Sequence, residues 1–379
     1  MKRPLTLAKT LFACLATANV AVAHPDHGTQ VHTAAPQARA ALADPVIGHN
    51  DVQYMVNSDW GQVGDAKAYV SNSHAMVEDS EGQIYLVTDH ADNAFLVYEK
   101  DGTFVRSFGN LPGGHGIDVI TLDGTEYLIH VDAGWQAKKG DGWANGWNNV
   151  NGAVTIVDKQ GKVLRKLPSP IETGHYKQGE RYKPCDVAVL PNNDILVADG
   201  YAMDRVVHYK PDGTIVRVWG GKKPGKPDHL DNAHGISIDN SDKDNPVVWV
   251  SSREQNQLKL FTTEGKFIES IEFPGAYAGQ AFFQGDKIYL GVCWSKQDGT
   301  GKRLNNSGFV LVLDRKTRKV ISAPGGTEPV YKDGKLQPMH QAQPIFKHVH
   351  DLYVDKAGAI YVGEWNAGLR FPYKLSPVE

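Results

Sequence analysis

Residues 185–220 read CDVAVLPNNDILVADGYAMDRVVHYKPDGTIVRVWG and contain four short segments in which apolar and polar residues alternate. Alternation with a period of two predicts β-strands that are buried on one face. Turn residues separate the segments, and the glycine of Pro211-Asp212-Gly213 is suited to the positive φ of a tight hairpin turn. The stretch therefore predicts a four-stranded antiparallel sheet.

The same pattern recurs along the chain. Its copies begin at His74, His115, Cys185, His234, Gln280 and His350. Six repeats of a four-strand unit predict an all-β protein with the architecture of a six-bladed β-propeller. The sixth copy ends after three strands, whereas residues 51–61, DVQYMVNSDWG, resemble the fourth strand of a blade. We therefore expect this N-terminal strand to complete the last blade and close the ring, which would leave no long unpaired sheet edge.

The composition is that of a globular protein large enough for an extensive core. The chain has 379 residues, 41% of them hydrophobic, and 40 basic residues stand against 43 acidic ones. This near-neutral balance gives no electrostatic reason to expect nucleic acid as a partner. No apolar run after residue 23 is long enough to cross a bilayer, so we expect no membrane span. We assign residues 45–379 to a single propeller domain.

The N-terminus resembles an export signal. Residues 1–23 begin with basic residues, continue through an apolar run and end in Ala21-Val22-Ala23, which predicts a cleaved signal peptide and a periplasmic or secreted protein. An alternative interpretation takes Cys14 as the acylation site of a lipoprotein. Residues 24–44 are polar and rich in Ala and Pro, which predicts a flexible lead-in.

The first residues of the repeats form a group that we call the blade-start residues. Three histidines among them, His115, His234 and His350, belong to alternate blades, so their rings are expected about 120° apart around the channel. Three imidazoles that converge on one point form an open catalytic zinc site, with a fourth position for water or substrate. The alternative is that each ring only hydrogen-bonds backbone in the channel. His74 is also a blade-start residue, and it would be a fourth ligand, a group behind the ligands or a substrate contact.

Five sequence segments resemble one enzyme family, the peptidyl-α-hydroxyglycine α-amidating lyases, which are six-bladed propellers of the NHL-repeat type. The segments GHGIDV, AHGIS and VHDLYV are similar to the family's zinc-binding histidine motifs. CDVAVLPNNDILVADGYAMDRVV and NPVVWVSSREQNQLKLF are similar to the blades that carry its catalytic tyrosine and arginine. The resemblance extends over roughly residues 70–375.

This resemblance implies a metal-dependent lyase. It implies His115, His234 and His350 as zinc ligands, Tyr201 as a base or metal-adjacent phenol, and Arg253 as a group that orients the substrate. The reaction would split an N-α-hydroxyglycine, as a small molecule or a peptide, into an amide and glyoxylate.

The resemblance also implies a structural calcium ion deeper in the channel. The family holds it with two backbone carbonyls and an aspartate, at positions that correspond to Met76, Ile117 and Asp351. A calcium ion prefers oxygen ligands of this kind.

Two positions depart from the family's pattern. Asp89, followed by His90, lies near the place of a family arginine, and His348 stands where a methionine is usual. These residues would lie behind the ligands or contact the substrate. Loss of the arginine would weaken the attraction for a substrate carboxylate, so the substrate is expected to be an N-α-hydroxyglycine or a related α-hydroxy compound.

Two other functional classes stay open at this point. The first is a non-catalytic propeller that binds protein or glycan on the face of its two long inserts, one with Trp135, Trp143 and Trp147 and the other at residues 295–307. The second is a calcium-dependent lactonase or sugar-acid hydrolase. Histidine-rich blade starts favour zinc over calcium as a catalytic ion. We expect Cys185 and Cys293 to be free thiols.

Overall fold

A computed structural model describes residues 45–63, 72–90, 92–137, 147–366 and 371–378. The predicted signal peptide, the predicted lead-in and Trp143 lie outside these residues. Six antiparallel sheets follow one another along the described chain, each with its strands in sequence order apart from the ring closure described below. The prediction of an all-β six-bladed propeller is confirmed.

The strands are short, and most are four to six residues long. In chain order they are β1 (Val46–His49), β2 (Val52–Asn57), β3 (Ser73–Glu78), β4 (Ile84–Thr88), β5 (Phe95–Tyr98), β6 (Phe104–Phe108), β7 (Gly114–Leu122), β8 (Thr125–Asp132), β9 (Trp135–Ala137), β10 (Trp147–Asn149), β11 (Ala153–Val157), β12 (Val163–Lys166), β13 (Asp186–Val189), β14 (Ile195–Asp199), β15 (Arg205–Tyr209), β16 (Ile215–Gly220), β17 (Ala233–Asp239), β18 (Val247–Ser252), β19 (Gln257–Thr262), β20 (Phe267–Glu272), β21 (Ala276–Gln284), β22 (Lys287–Lys296), β23 (Arg303–Leu304), β24 (Phe309–Asp314), β25 (Val320–Ser322), β26 (Tyr331–Lys332), β27 (Lys335–Leu336), β28 (Val349–Val354), β29 (Ile360–Glu364) and β30 (Tyr373–Pro377). Short 3₁₀ turns lie at Arg253–Gln255 and Gln297–Gly299.

The ring closes through an N-terminal strand. Strand β2 pairs antiparallel with β30, the last strand of the chain, and the order of this sheet is β1-β2-β30-β29-β28. Residues 51–61 thus supply the missing strand of blade six, as their sequence predicts. Strand β1 adds a fifth strand on the outside, which the sequence pattern did not predict.

The hydrophobic core lies between the blades. Each of the six large apolar clusters combines residues of two consecutive blades. In the cluster that joins blades six and one, Trp60 packs between Tyr98 and Tyr361, with ring centroids 5.1 and 4.9 Å away. Because every blade buries both faces against its neighbours, the apolar burial that stabilises the fold depends on the closed ring.

A β-bulge lies near the start of the inner strand in five blades; Gln280 stands at the bulge of blade five, and a histidine stands at each of the other four. The pairing register of β3, β7, β17, β21 and β28 with the next strand shifts there. The histidines at the shifts are His74, His115, His234 and His350. A bulge interrupts strict alternation and re-aims a side chain, and it brings each histidine to the channel.

Long connections extend from the blades. The first insert forms the hairpin of β9 and β10, and the second contains β23. A third, between β25 and β28, contains the hairpin of β26 and β27 and was not singled out in the sequence. Within the described residues, no helical segment has the length and apolar character needed to span a bilayer.

Candidate metal centre

Four imidazoles from blades one, two, four and six meet in the channel. We call His74, His115, His234 and His350 the channel histidines. Each is at most 4% exposed. The ring centroids of His115 lie 4.6 Å from those of His74 and His350, and the His234 ring lies 4.8 Å from His350 and 5.0 Å from His115. The structure thus brings together the three predicted zinc ligands and adds His74 to them.

Backbone carbonyls determine which nitrogen of two rings carries the proton. The Nδ1 atom of His115 lies 2.6 Å from the carbonyl oxygen of Cys185, and the Nδ1 atom of His350 lies 2.8 Å from that of His74. A carbonyl only accepts hydrogen bonds, so both Nδ1 atoms donate. The Nε2 atom of each neutral ring then carries a lone pair, which is the state that a metal ligand requires.

The Tyr201 hydroxyl bridges two of the channel histidines. It lies 2.7 Å from Nε2 of His115 and 2.8 Å from Nε2 of His234. Because Nε2 of His115 is unprotonated, the phenol donates its single proton to that atom. The second contact then requires a proton on Nε2 of His234, which donates to the phenol oxygen. His234 must therefore move this proton to Nδ1 before its Nε2 can bind a metal ion.

His74 is held by a buried carboxylate. Its Nε2 atom lies 3.3 Å from Oδ2 of Asp89, and the same oxygen accepts a hydrogen bond of 2.8 Å from the Asn72 amide. Asp89 is 3% exposed. The Nδ1 atom of His74 is buried and has no hydrogen-bond partner among the described residues.

Arg253 lies wholly inside the protein, in the turn after β18. Its Nε donates to Oδ1 of Asn232 at 2.7 Å, and its guanidinium stacks on the Trp294 ring at 4.8 Å. Within the described residues neither Nη atom has an acceptor in good hydrogen-bond geometry.

Burial keeps the imidazoles neutral and the phenol protonated. Burial, reinforced by the charges of neighbouring histidines, lowers the pKa of His115 and His350 well below the usual value of 6.5. Burial raises the pKa of Tyr201 well above 10.0, and the Arg253 charge lowers it by a smaller amount. Neutral imidazoles suit a metal ion, whereas Tyr201 would need a nearby cation to lose its proton.

The donor set fits a transition-metal ion. Ligating atoms of His74, His115 and His350 lie within 4.8 Å of one another. The buried Nδ1 of His74 is an orphaned polar atom, whose desolvation is a cost that a bound cation would offset. Imidazole is a common ligand of zinc, copper, iron and nickel. A metal ion therefore fits this cluster on the chemistry of its side chains.

A pair of buried carboxylates adjoins the channel histidines. Asp351 and Asp186 line the same narrow cavity as the four rings. Burial raises the pKa of both carboxyls well above 3.8, and the Asp351 charge raises that of Asp186 further. One oxygen of each has no hydrogen-bond partner among the described residues. Met76 and Ile117 line a separate cavity of about 230 Å³, so their place in a calcium site stays a prediction.

Sequence reasoning missed Asp186, although a signal for it exists. Asp186 directly follows the blade-start residue Cys185, as Asp351 follows His350.

His348 has a structural role in the described residues. Its Nδ1 lies 3.1 Å from the Trp365 carbonyl, and its Nε2 accepts the Asn306 backbone N–H at 3.0 Å. Both ring nitrogens thus form hydrogen bonds, and these bonds link the second insert to blade six. Cys185 and Cys293 are buried free thiols, as expected.

Sequence comparisons support the resemblance to the amidating enzymes. No family model matches the chain. A peptidylglycine alpha-amidating monooxygenase of Rattus norvegicus is 24% identical over 236 residues, which are 58% of this chain and 20% of that protein. A Caenorhabditis elegans protein named "Probable peptidyl-alpha-hydroxyglycine alpha-amidating lyase" is 28% identical over 108 residues, 28% of this chain and 30% of that protein. The chain thus spans about a fifth of the length of the monooxygenases that it resembles.

Solved structures support the propeller fold alone. A gluconolactonase of Xanthomonas campestris superposes with a TM-score of 0.50 at 14% identity, over 89% of this chain and 99% of that chain. A luciferin-regenerating enzyme superposes with a TM-score of 0.50 at 10% identity, over 85% of this chain and 95% of that chain.

Proposed function

We propose that this protein is a zinc-dependent lyase that cleaves an N-α-hydroxyglycine or a related α-hydroxy compound. The observation that carries the proposal is the phenol of Tyr201, which contacts Nε2 of both His115 and His234 beside the buried Arg253. The sequence similarity to amidating enzymes supports the same conclusion.

The channel histidines His115, His234 and His350 would hold the ion. When bound, zinc acts as a Lewis acid and lowers the pKa of a hydroxyl that it contacts. Two of these rings already have their tautomers determined by backbone carbonyls, which orients the Nε2 lone pairs inward.

Tyr201 and Arg253 would act on the substrate. Neither Nη atom of Arg253 has an acceptor in good hydrogen-bond geometry among the described residues, so both could bind a carboxylate in bidentate fashion. Because the side chain is buried, bulk water would screen this ion pair only weakly. The Tyr201 oxygen would accept the proton of the substrate hydroxyl once its own proton has left. A cation bound by His115 and His234 would favour that loss, because a nearby positive charge lowers the pKa of a phenol.

Glyoxylate release from an N-acyl-α-hydroxyglycine tests this proposal. We expect zinc-loaded protein to release glyoxylate, and Tyr201→Phe to reduce kcat by about 10²–10⁴-fold because general acid–base catalysis contributes that much. Tyr209→Phe is the matched control, since within the described residues its buried hydroxyl bonds only to the backbone of Pro168 and to Tyr182. Absence of glyoxylate from the zinc-loaded wild type would contradict the lyase.

Hydrolysis of a neutral substrate is the second candidate function. Asp89 places a buried carboxylate next to His74, where it repels a substrate carboxylate. The same protein should therefore be assayed with an uncharged lactone. Lactone turnover without glyoxylate release would favour hydrolysis.

We also propose a structural calcium ion held by Asp351 with the carbonyls of Met76 and Ile117, and we add Asp186 as a second carboxylate. A cation between the two carboxylates would offset their repulsion. We expect calcium to raise the Tm of the wild type, and Asp351→Asn to abolish this rise while stabilising the calcium-free protein. An equal calcium response in both proteins would exclude the site.

Export completes the proposal. Residues 1–23 support a cleaved signal, and N-terminal sequencing of the protein from periplasm or medium should begin at His24. A lipid-modified Cys14 would support the lipoprotein interpretation instead.

A further inference from the structure

We propose that His74 binds the same ion as the other channel histidines, through Nδ1, and that Asp89 is its orienting carboxylate. This inference deepens the proposed function, since it rests on the channel cluster as a metal centre. It concerns residues that the resemblance leaves without a role.

Asp89 determines the direction in which His74 offers its lone pair. An ionised carboxylate only accepts hydrogen bonds, so the contact between Asp89 Oδ2 and His74 Nε2 places the ring proton on Nε2. A neutral His74 then has its lone pair on Nδ1. That atom is buried without a partner among the described residues.

The His74 ring lies close to two of the other channel histidines. The His74 ring is 4.6 Å from the His115 ring and 4.7 Å from the His350 ring. Ligating atoms of these three residues lie within 4.8 Å of one another. The tautomer of His74 is determined by an acidic side chain, whereas backbone carbonyls determine those of His115 and His350.

The charge of the buried Asp89 carboxylate also favours an ion at His74. Asp89 is 3% exposed, and no Lys or Arg of the described residues forms an ion pair with it. A buried carboxylate without a cation is costly. An ion on Nδ1 of His74 would be linked to Asp89 through a single ring, the carboxylate–histidine–metal arrangement that orients a ligand and raises its basicity.

His74 and His234 differ in whether the nitrogen that would bind the ion carries a proton. His234 must lose the Nε2 proton that it shares with Tyr201 before that atom can bind an ion, as shown above. His74 needs no such change. Four imidazoles on one ion still leave an open position if the ion is five-coordinate, as zinc sites sometimes become.

Metal affinity measured without substrate tests the inference. Zinc affinity would be measured in tag-free protein by competition with a chromogenic chelator. We expect His74→Gln to weaken zinc binding at least tenfold, and Asp89→Asn to weaken it by about 10–100-fold, the usual effect of losing an orienting partner. Unchanged affinity in both variants would overturn the inference.

Blade three offers a matched control pair. His208 is also buried, with Nε2 2.8 Å from Oδ2 of Asp194 and an Nδ1 that has no hydrogen-bond partner in the described chain. It lies on β15, the third strand of blade three, and not on an inner strand like the channel histidines. His208→Gln and Asp194→Asn should leave zinc affinity within twofold. An equal loss in these controls would assign the effect to stability and overturn the inference.

Cobalt substitution counts the ligands directly. In Co²⁺-loaded protein, each bound imidazole gives a hyperfine-shifted exchangeable N–H resonance in the proton NMR spectrum. His74→Gln should remove one such resonance and leave the others. An unchanged count would overturn the inference.

The outcomes separate this inference from the proposed function. Loss of a resonance in His74→Gln together with absence of glyoxylate from the wild type supports the ligand and contradicts the lyase. Unchanged affinity and resonances together with glyoxylate release support the lyase and overturn the ligand.

Discussion

At the scale of the residue, the channel histidines differ in the ring nitrogen that carries the proton, because different atoms accept its hydrogen bond. His115 and His350 donate Nδ1–H to carbonyls, whereas His74 donates Nε2–H to a carboxylate. The sequence predicts which histidines meet, because it gives their place in the repeat. It does not predict which ring nitrogen points inward, since that depends on contacts with partners such as Asp89 that are separated from the histidine in the sequence.

A histidine away from the channel gives a pH dependence that can be isolated. His130 on β8 is 1% exposed, and burial lowers its pKa from 6.5 to about 4. Below pH 6.5 the unfolded chain binds a proton there that the folded protein does not, so stability falls as the pH falls toward 4. The loss of stability from His130 is complete below its folded-state pKa, and it is absent well above pH 7.

We therefore expect the free energy of unfolding of His130→Leu, measured relative to that of the wild type, to be about 2 kcal/mol higher at pH 5 than at pH 7. Urea unfolding in the presence of a chelator at both pH values measures this difference. The exposed His175 provides the control, since His175→Leu should show no such gain. If the difference in unfolding free energy between His130→Leu and the wild type is the same at pH 7 and pH 5, the lowered pKa of His130 is contradicted.

At the scale of the element, the bulged inner strand is the feature that creates the site. Alternation in the sequence predicts the strands and the ring closure by residues 51–61. It does not predict the bulges, because one extra residue in a strand leaves the apolar pattern almost unchanged. Asp186 lies on an unbulged strand and could have been predicted, because it follows the blade-start residue Cys185 as Asp351 follows His350.

The glycine after a channel histidine permits close packing of neighbouring inner strands. A Cβ on Gly116 would lie 2.8 Å from Cα of Asp186 and 2.9 Å from the carbonyl oxygen of Cys185. We expect Gly116→Ala to cost about 1–3 kcal/mol, as overpacking does. It should also weaken zinc binding, because the Cys185 carbonyl holds His115.

Thermal unfolding and zinc titration of Gly116→Ala measure both effects. Gly301→Ala is the control, since Gly301 lies exposed on the second insert and its nearest contact would be 3.2 Å. Wild-type stability and zinc affinity in Gly116→Ala would show that the strands can separate without cost.

At the scale of the whole molecule, closure of the ring is what brings distant residues together. His74 and His350 come from opposite ends of the repeat, yet the His350 ring bonds to the His74 carbonyl across the junction that β2 and β30 close. The number of repeats and the closing strand could be predicted because the same alternation of apolar and polar residues recurs in the sequence of each blade. The third insert, between β25 and β28, could not, since it interrupts that pattern.

The central claim is that the channel histidines hold one transition-metal ion. Elemental analysis of tag-free protein, before and after dialysis against a chelator, tests it most directly. We expect about one zinc per chain in the purified wild type. A variant with both His115 and His350 changed to Gln should retain none while keeping its folded circular dichroism spectrum. Absence of any stoichiometric transition metal from the wild type, or full zinc content in this double variant, would contradict the account.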